Sequence, residues 1–333
     1  MPFIYSAAVL GVAALLDFWI GDPWNWLHPV QVMGWWINSY TQVAFKRLQH
    51  PVALRWAGVG LTLSTIGLTV GISGLLVWTA RFLHPGLGVV TESALLASCF
   101  AGRSLRDAAH DVLRPLAACD LVAARTHLSR YVGRDTAALS ELEIRRAVLE
   151  TVSENAVDGV LAPLFYALIG ALLPLGSAPL ALGYKALSTL DSMVGYREAP
   201  YTELGWCSAR LEDGVTWLPC RLTVITLAFL SGRPRAVWRI CCRDAPQDPS
   251  PNSGWSECVY AAILGVQVGG ANSYRGIVKQ KPLLGDPLKP ITSTSIEQAL
   301  DLTRRCFLLW LVMGLVMGWT GLLLQAVLSA TFS

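Results

Sequence analysis

Residues 56–80 and 306–333 carry no charged side chain at all. Each run exceeds the roughly 20 apolar residues that cross a bilayer as a helix. Backbone in hydrocarbon must satisfy its own hydrogen bonds, so runs of this kind commit a chain to helices. Residues 159–184 are also uncharged but are interrupted by Pro163, Pro174 and Pro179, and 214–232 carries Pro219 and Arg221. Either, the first above all, is a candidate for a broken or re-entrant element, which is tolerated only where protein or water satisfies the freed backbone. Residues 1–16 are uncharged and Asp17 follows at once; with no basic segment ahead and no evident cleavage site, they read as a retained first span. Composition agrees: 53% of residues are hydrophobic and 15% charged, against about 25% charged in soluble domains. The expected fold is all-α, a polytopic integral membrane helical bundle forming one domain over 1–333. It has about four to five spans, near 1–20, 54–80, 159–184, 214–232 and 306–328, with polar loops over 81–158 and 233–305.

Within those loops further helices are predicted. Residues 92–131 read as helical with a break at Pro115, and a second helix covers 120–131. Thr136 or Ser140 can start the next helix, which runs to about Asp158; Ser140 has Glu143 three residues on, a capping-box pattern. Residues 244–256, rich in Pro, Ser, Asp and Asn, read as a loop. A short apolar helix over Glu257–Val268 is expected to end at Gly269-Gly270. No strand pattern and no internal repeat is found.

Net charge is +3, with no basic stripe interleaved by aromatics, so no nucleic-acid partner is expected. The 13 tryptophans, Trp19, Trp24, Trp26, Trp35 and Trp36 among them, suit a bilayer interface. None of the eight cysteines forms a CxxC, and no histidine follows His127, which argues against zinc and a disulfide framework. With five crossings, loops 81–158 and 233–305 share one side and hold nine and ten basic residues, against five on the other. That bias places them in the cytoplasm.

The chemistry gathers in polar islands beside apolar segments, an expensive arrangement that marks function. Arg146, Glu150, Glu154 and Asp158 fall four apart and stack on one helical face. Carboxylates so close need a cation such as Mg²⁺, or neighbouring arginines; a solvated face with one Arg–Glu pair is the plain alternative. The other islands are Gly21-Asp22-Pro23 with His28-Pro29-Val30, Gly133-Arg134-Asp135-Thr136, Tyr184-Lys185 through Tyr196, Arg210 to Asp213, Asp248 to Glu257, and Gly269-Gly270-Ala271-Asn272-Ser273-Tyr274.

Taken in order, Gly-Asp-Pro…His-Pro-Val, Gly-Arg-Asp-Thr, Glu-Asn-x-x-Asp-Gly-x-x-Ala-Pro-Leu-Phe, Thr-Leu-Asp-Ser-Met-Val-Gly-Tyr, Ser-Pro-Asn-x-Gly-Trp and Gly-Gly-x-Asn-x-Tyr resemble the membrane adenosylcobinamide-phosphate synthase family of cobalamin biosynthesis. The resemblance runs from about Asp17 to Pro290. Two positions depart from it: Asp248-Pro249 stands where the family has a histidine before Ser-Pro-Asn, and Glu212-Asp213 where it has two aspartates.

The resemblance implies an ATP-dependent amide-forming ligase. It joins adenosylcobyric acid to (R)-1-amino-2-propanol O-2-phosphate or a similar amino-alcohol phosphate. In that reading Glu154, Asp158, Lys185 and Asp191 are catalytic, and Glu154, Asp158 and Asp213 hold Mg²⁺. Arg134, Lys185 and Arg210 bind phosphates, Asn155 orients phosphates or corrinoid amides, and Ser250, Asn252, Asn272 and Tyr274 line the corrinoid pocket. No Walker A or Rossmann pattern is present, so an ATP site would be unconventional. The expected setting is the cell membrane with a cytoplasmic active face, in association with other cobalamin-assembly proteins. A membrane sensor or a transporter is the alternative; a transporter predicts repeated halves, which the sequence lacks.

Overall fold

The computed structural model describes residues 2–21 and 28–331, with side chains over 4–21 and 28–320. Asp22 lies outside the described residues. Three His-Pro dipeptides open three successive helices: α2 (Pro29–Arg47), α3 (Pro51–Leu83) and α4 (Pro85–Ala97). In each the imidazole Nδ1 accepts from a backbone N–H two residues on, Val30, Val52 and Gly86, at 3.2, 3.3 and 3.0 Å. Proline sits at the first helical position, where a missing N–H costs nothing. His28 is therefore a structural cap, with Gln31 completing a capping box.

The remaining elements are α1 (Pro2–Trp19), α5 (Gly102–Ala117), α6 (Leu121–Leu128), α7 (Glu141–Asn155), a π turn (Ala156–Leu161), α8 (Ala162–Ala171), α9 (Ser177–Val194), α10 (Trp206–Leu230), α11 (Pro234–Asp244), α12 (Ser253–Leu264) and α13 (Ser293–Thr331). Between α12 and α13 stands an antiparallel hairpin, β1 (Val268–Tyr274) and β2 (Ile277–Leu284). The class is all-α, with this hairpin as the exception that the sequence pattern did not announce.

Among the described residues four helical runs are long and apolar enough to cross a membrane: Pro51–Leu83, Pro85–Ala117, Glu141–Ala171 and Trp206–Leu230. Ile4–Trp19 is a shorter apolar helix. The stretch read as one polar loop, 81–158, thus contains an apolar run of its own, and Pro115 lies inside α5 rather than ending it. Residues 159–184 are not one segment. They divide between α8 and α9, with the reversal at 172–176.

The chain forms two compact units, one of residues 1–101, 162–215 and 307–333, the other of 102–161 and 216–306. In the first, α3 and α9 pack together, with α4, α1, α8 and α2 around them. The α8–α9 reversal is tight. A Cβ on Gly170 would lie 2.3 Å from the Gly176 carbonyl oxygen, and Gly176 has φ of +93°. The N-terminus of α9 has no cap of its own. Glu92 of α4, 1% exposed, supplies one: its Oε1 accepts from the N–H groups of Ser177 and Ala178 at 2.8 and 3.3 Å. A carboxylate at a helix N-terminus meets both unsatisfied donors and the positive end of the dipole.

In the second unit α7 is the central strut, packed against α5, α6, α12 and β1. Its start follows the sequence pattern: Ser140 Oγ accepts from Glu143 N, and the Glu143 carboxylate accepts from Ser140 N at 2.8 Å. Its end departs from it. Pro163 lacks the N–H that an α-turn would direct at the Gly159 carbonyl, and just before it the helix widens into the π turn. That extra backbone breaks the four-residue register between Glu154 and Asp158.

Candidate functional site

The second unit gathers most of its buried charge where α7, α12 and the hairpin meet. Glu150 is 2% exposed. Its Oε2 accepts from Arg134 Nη2, its Oε1 accepts from the Gly269 N–H at 2.8 Å, and Arg146 Nε lies 3.8 Å from that oxygen. Arg146 donates to the carbonyls of Gly269 and Ala271 at 2.6 and 2.9 Å, and to Asn272 Oδ1 at 3.1 Å. Arg134 reaches the same Asn272 Oδ1 at 2.9 Å. Two arginines and a glutamate from the α7 side therefore grip the start of β1.

The glycines make that grip possible. Gly269 and Gly270 have φ of +91° and +87°, and a Cβ on Gly269 would lie 2.0 Å from the Pro282 carbonyl oxygen. The register shifts between Val268 and Gly270, the bulge that left-handed glycine permits. At the far end Arg275 (φ 51°) and Gly276 (φ 79°) form the two-residue turn, both positive as a type I′ hairpin turn requires. Asp135 clasps it, accepting from Ser273 Oγ at 2.6 Å and from the Arg275 and Gly276 N–H groups at 3.0 and 2.8 Å. These bonds, Ser273 first, hold the Asp135 carboxyl below its ordinary range.

On the hairpin, Asn272 faces Lys279 and Gly270 faces Lys281 across the strands, which puts all four on one face. Lys279 Nζ lies 5.7 Å from the Tyr274 ring centroid on that face. Lys281 Nζ donates to Glu257 Oε1 of α12 at 3.1 Å, and Glu257 is 1% exposed. Glu154, half-buried, interacts electrostatically with Lys281, Asp248, Glu150 and Arg134. Burial works against the Lys281 charge, yet the carboxylates of Glu257, Glu154 and Glu150 outweigh it and raise the ammonium above its usual range.

The expected site residues of this unit have distinct roles. Arg134, Glu154 and Asn272 lie in the cluster, with Tyr274 on the hairpin face. Arg134 is not an open phosphate ligand, because Glu150 and Asn272 occupy its guanidinium. Asn155 is exposed, and its Nδ2 donates to the Thr151 carbonyl at 2.9 Å. Asp158 sits half-buried in the π turn. Ser250 and Asp248 build the entry to α12: Asp248 Oδ1 accepts from Ser250 N at 2.8 Å, and Ser250 Oγ from Asn252 and Ser253 N at 3.2 Å. Asn252 is buried there, its carbonyl accepting from the Trp255 and Ser256 N–H groups at 3.0 Å. Arg221 stacks over Trp255, 4.3 Å from its centroid, and donates to the Pro251 carbonyl at 2.8 Å. A Cβ on Gly254 would come within 2.5 Å of Asp248 Cβ. Helix α12 ends at left-handed Gly265, not at Gly269-Gly270, which serve the bulge instead.

The first unit holds Lys185, Asp191, Arg210 and Asp213. Lys185 and Asp191 lie on α9, half-buried. Asp191 folds over the helix end: a Cβ on Gly195 would lie 2.0 Å from its Oδ1. Asp213 interacts with Arg197 and Arg210. Tyr184 stacks on Tyr166 at 5.1 Å, and the Tyr166 hydroxyl donates to the Val215 carbonyl at 2.9 Å. Among the described residues no three His, Cys, Asp or Glu side chains come together as a metal site; of the expected set, Glu154 and Asp158 belong to the second unit and Asp213 to the first.

Sequence reading passed over Lys281 and gave Glu257 no role. Neither has a local signature: the partners that make them unusual lie 24 or more residues away.

Residues 10–303 match the family described as CobD/Cbib protein. The chain is 53% identical over 313 residues to a protein of Synechocystis sp. named cobalamin biosynthesis protein CobD, covering 94% of this chain and 92% of that one. It is 41% identical over 312 residues to the CobD protein of Halalkalibacterium halodurans, covering 92% and 94%. It is 41% identical over 295 residues to cobalamin biosynthesis protein CbiB of Salmonella typhimurium, covering 87% and 91%. No solved structure matches. The chain belongs to the CobD/Cbib family.

Proposed function

We propose that this CobD/Cbib-family chain is a membrane enzyme of cobalamin biosynthesis that makes adenosylcobinamide phosphate. It joins a side-chain carboxylate of adenosylcobyric acid to the nitrogen of (R)-1-amino-2-propanol O-2-phosphate, or a similar amino-alcohol phosphate. Relatives at 41–53% identity over nearly the whole chain carry cobalamin-biosynthesis names, and among the described residues four helices are long and apolar enough to cross a membrane. The observation that carries the chemistry is the cluster of Glu150, Glu154 and Glu257 with Arg134, Arg146 and Lys281. It sets the Lys281 ammonium, for phosphate, beside carboxylates that suit an ammonium.

A carboxylate is a poor electrophile and needs activation. In the proposed cycle its oxygen takes the γ-phosphoryl of ATP, giving an acyl phosphate and ADP. The amine nitrogen then attacks the acyl carbon, the C–N bond forms, and inorganic phosphate leaves with the C–O electron pair. Lys281 is the cation open to an incoming phosphate, being the one whose side chain is 30% exposed. Lys185 and Arg210 would serve phosphate within their own unit, and Asn252, Ser250 and Tyr274 the corrinoid rim.

Mg²⁺ is normally held by one or two carboxylates together with phosphate oxygens. Glu150 and Glu257 already pair with cations, and Glu154 faces Lys281 and Arg134. This donor set does not fit a resident ion, and we assign Mg²⁺ to the ATP that brings it.

The test uses purified protein in nanodiscs with cobyric acid, amino-alcohol phosphate, ATP and Mg²⁺, each omitted in turn. Product mass is expected only with all four, together with ADP. A strain lacking the chain should grow on cobinamide but not on cobyric acid; growth on both overturns the assignment.

A further inference from the structure

Three buried polar atoms of the cluster are left over: Arg146 Nε, which lies 3.8 Å from Glu150 Oε1, and two of opposite kind. Glu257 Oε2 is an acceptor with no hydrogen-bond partner, and Asn272 Nδ2, on a side chain 4% exposed, is a donor with none. Leaving either empty costs about 1–3 kcal/mol, so each calls for an explanation. With Glu257 ionised, the charges are unequal as well. Glu150 is matched by Arg134 and approached by Arg146, which leaves Glu154 and Glu257 sharing the single ammonium of Lys281. Asp248 adds to the excess rather than relieving it. The group is short of one cation on α12 and one acceptor on β1.

We propose that this group binds the amino-alcohol phosphate, its ammonium on Glu257 Oε2 and its phosphate on Asn272 Nδ2, and that Glu257 takes the proton the nitrogen must lose. The inference rests on the reading above and supplies the step that it leaves open. The ammonium gives one proton to the Glu257 carboxylate, yielding a neutral amine and a carboxylic acid. The freed lone pair attacks the acyl phosphate carbon, and the second proton leaves with the phosphate. Half-buried Glu154 and the exposed part of Lys281 open the group towards solvent, through which Glu257 returns its proton.

Burial first, and then Glu154 and Glu150 against the opposing pull of Lys281, push the Glu257 carboxyl up to about 8. That suits a base working on an ammonium near neutral pH. Lys281 stays charged and is not the base. From α11, Cys241 and Asp244 are directed at Cys258 and the Gly285 N–H, so the groups facing Glu257 are those already named.

Calorimetry on the full chain in nanodiscs, without ATP or corrinoid, tests this. Its probes are 1-amino-2-propanol O-2-phosphate and the N-acetyl derivative, which has no ammonium. The wild-type chain is expected to prefer the free amine by at least about tenfold, and Glu257→Gln to abolish that preference while still binding the acetylated form. At pH 7 the binding heat of the wild type should depend on buffer, because the ammonium displaces a proton from Glu257. This second measurement needs no variant. Equal affinity for both probes, or an unchanged preference in Glu257→Gln, overturns the proposal. Preference for the amine without any adenosylcobinamide phosphate formed would instead sink the ligase reading and leave the site standing.

Discussion

Glu92 and Glu257 are each 1% exposed and each has one bonded and one unbonded oxygen, yet they are built for different work. Glu92 accepts from the backbone at the start of α9, with Tyr5 beside it and Arg81 over the Tyr5 ring at 4.1 Å. It is a single carboxylate whose partner is a helix end that cannot move. Glu257 meets a flexible lysine and two further carboxylates, so its charge is not settled by what surrounds it. Burial alone therefore does not mark a reactive acid. The kind of partner does: fixed dipoles hold a carboxylate in one state, whereas a crowd of like charges leaves it ready to exchange a proton or a ligand.

The severest way to break this contrast is to remove a fixed partner from the crowded side. Arg134→Ala leaves Glu150 buried beside only the more distant Arg146, and stripping one partner from a buried pair costs about 3–5 kcal/mol. Thermal unfolding in detergent is expected to shift down strongly, with the hairpin amides exchanging first. A shift within error would mean that the hairpin is held without this pair. Glu92→Gln should come next. The neutral amide keeps an oxygen for Ser177 N but loses the charge at the α9 dipole, for about 1–2 kcal/mol. Stability should fall while the affinity for amino-alcohol phosphate stays unchanged. If affinity fell too, Glu92 would not be the structural counterpart that the comparison makes it.

What could be read in advance was what is local. Ser140 and Glu143 lie three apart, and the capping box formed as the pattern requires. Arg146, Glu150 and Glu154 keep their four-residue spacing along α7. Asp158 lost it, because Pro163 acts on the backbone before it. The hairpin was hidden for a physical reason. Residues 268–284 show no apolar alternation, because one face carries Gly270, Asn272, Lys279 and Lys281 for the site instead of a core stripe. Arg275-Gly276 does the work of an Asn-Gly turn without its signature. Glu257 and Lys281 acquire their character only when α12 and β2 close on α7, and no window of sequence contains all three.

The smallest effect is expected at the hairpin tip, and it separates clasp from site. Asp135→Asn puts an amide where one carboxylate oxygen receives Ser273 Oγ and Gly276 N, so a donor faces donors. Hydrogen exchange at Arg275 and Gly276 should quicken at neutral pH while the Glu150–Arg134 end of the hairpin stays protected. The sign with pH follows from the lowered carboxyl. The clasp is complete above the ordinary carboxylate range and is lost as pH falls through the lowered folded value. Wild-type and variant protection at the tip should therefore converge in acid and diverge above it. Protection that differs equally at every pH would show that the Asn side chain disturbs the turn by shape, and that the charge of Asp135 is not what holds it.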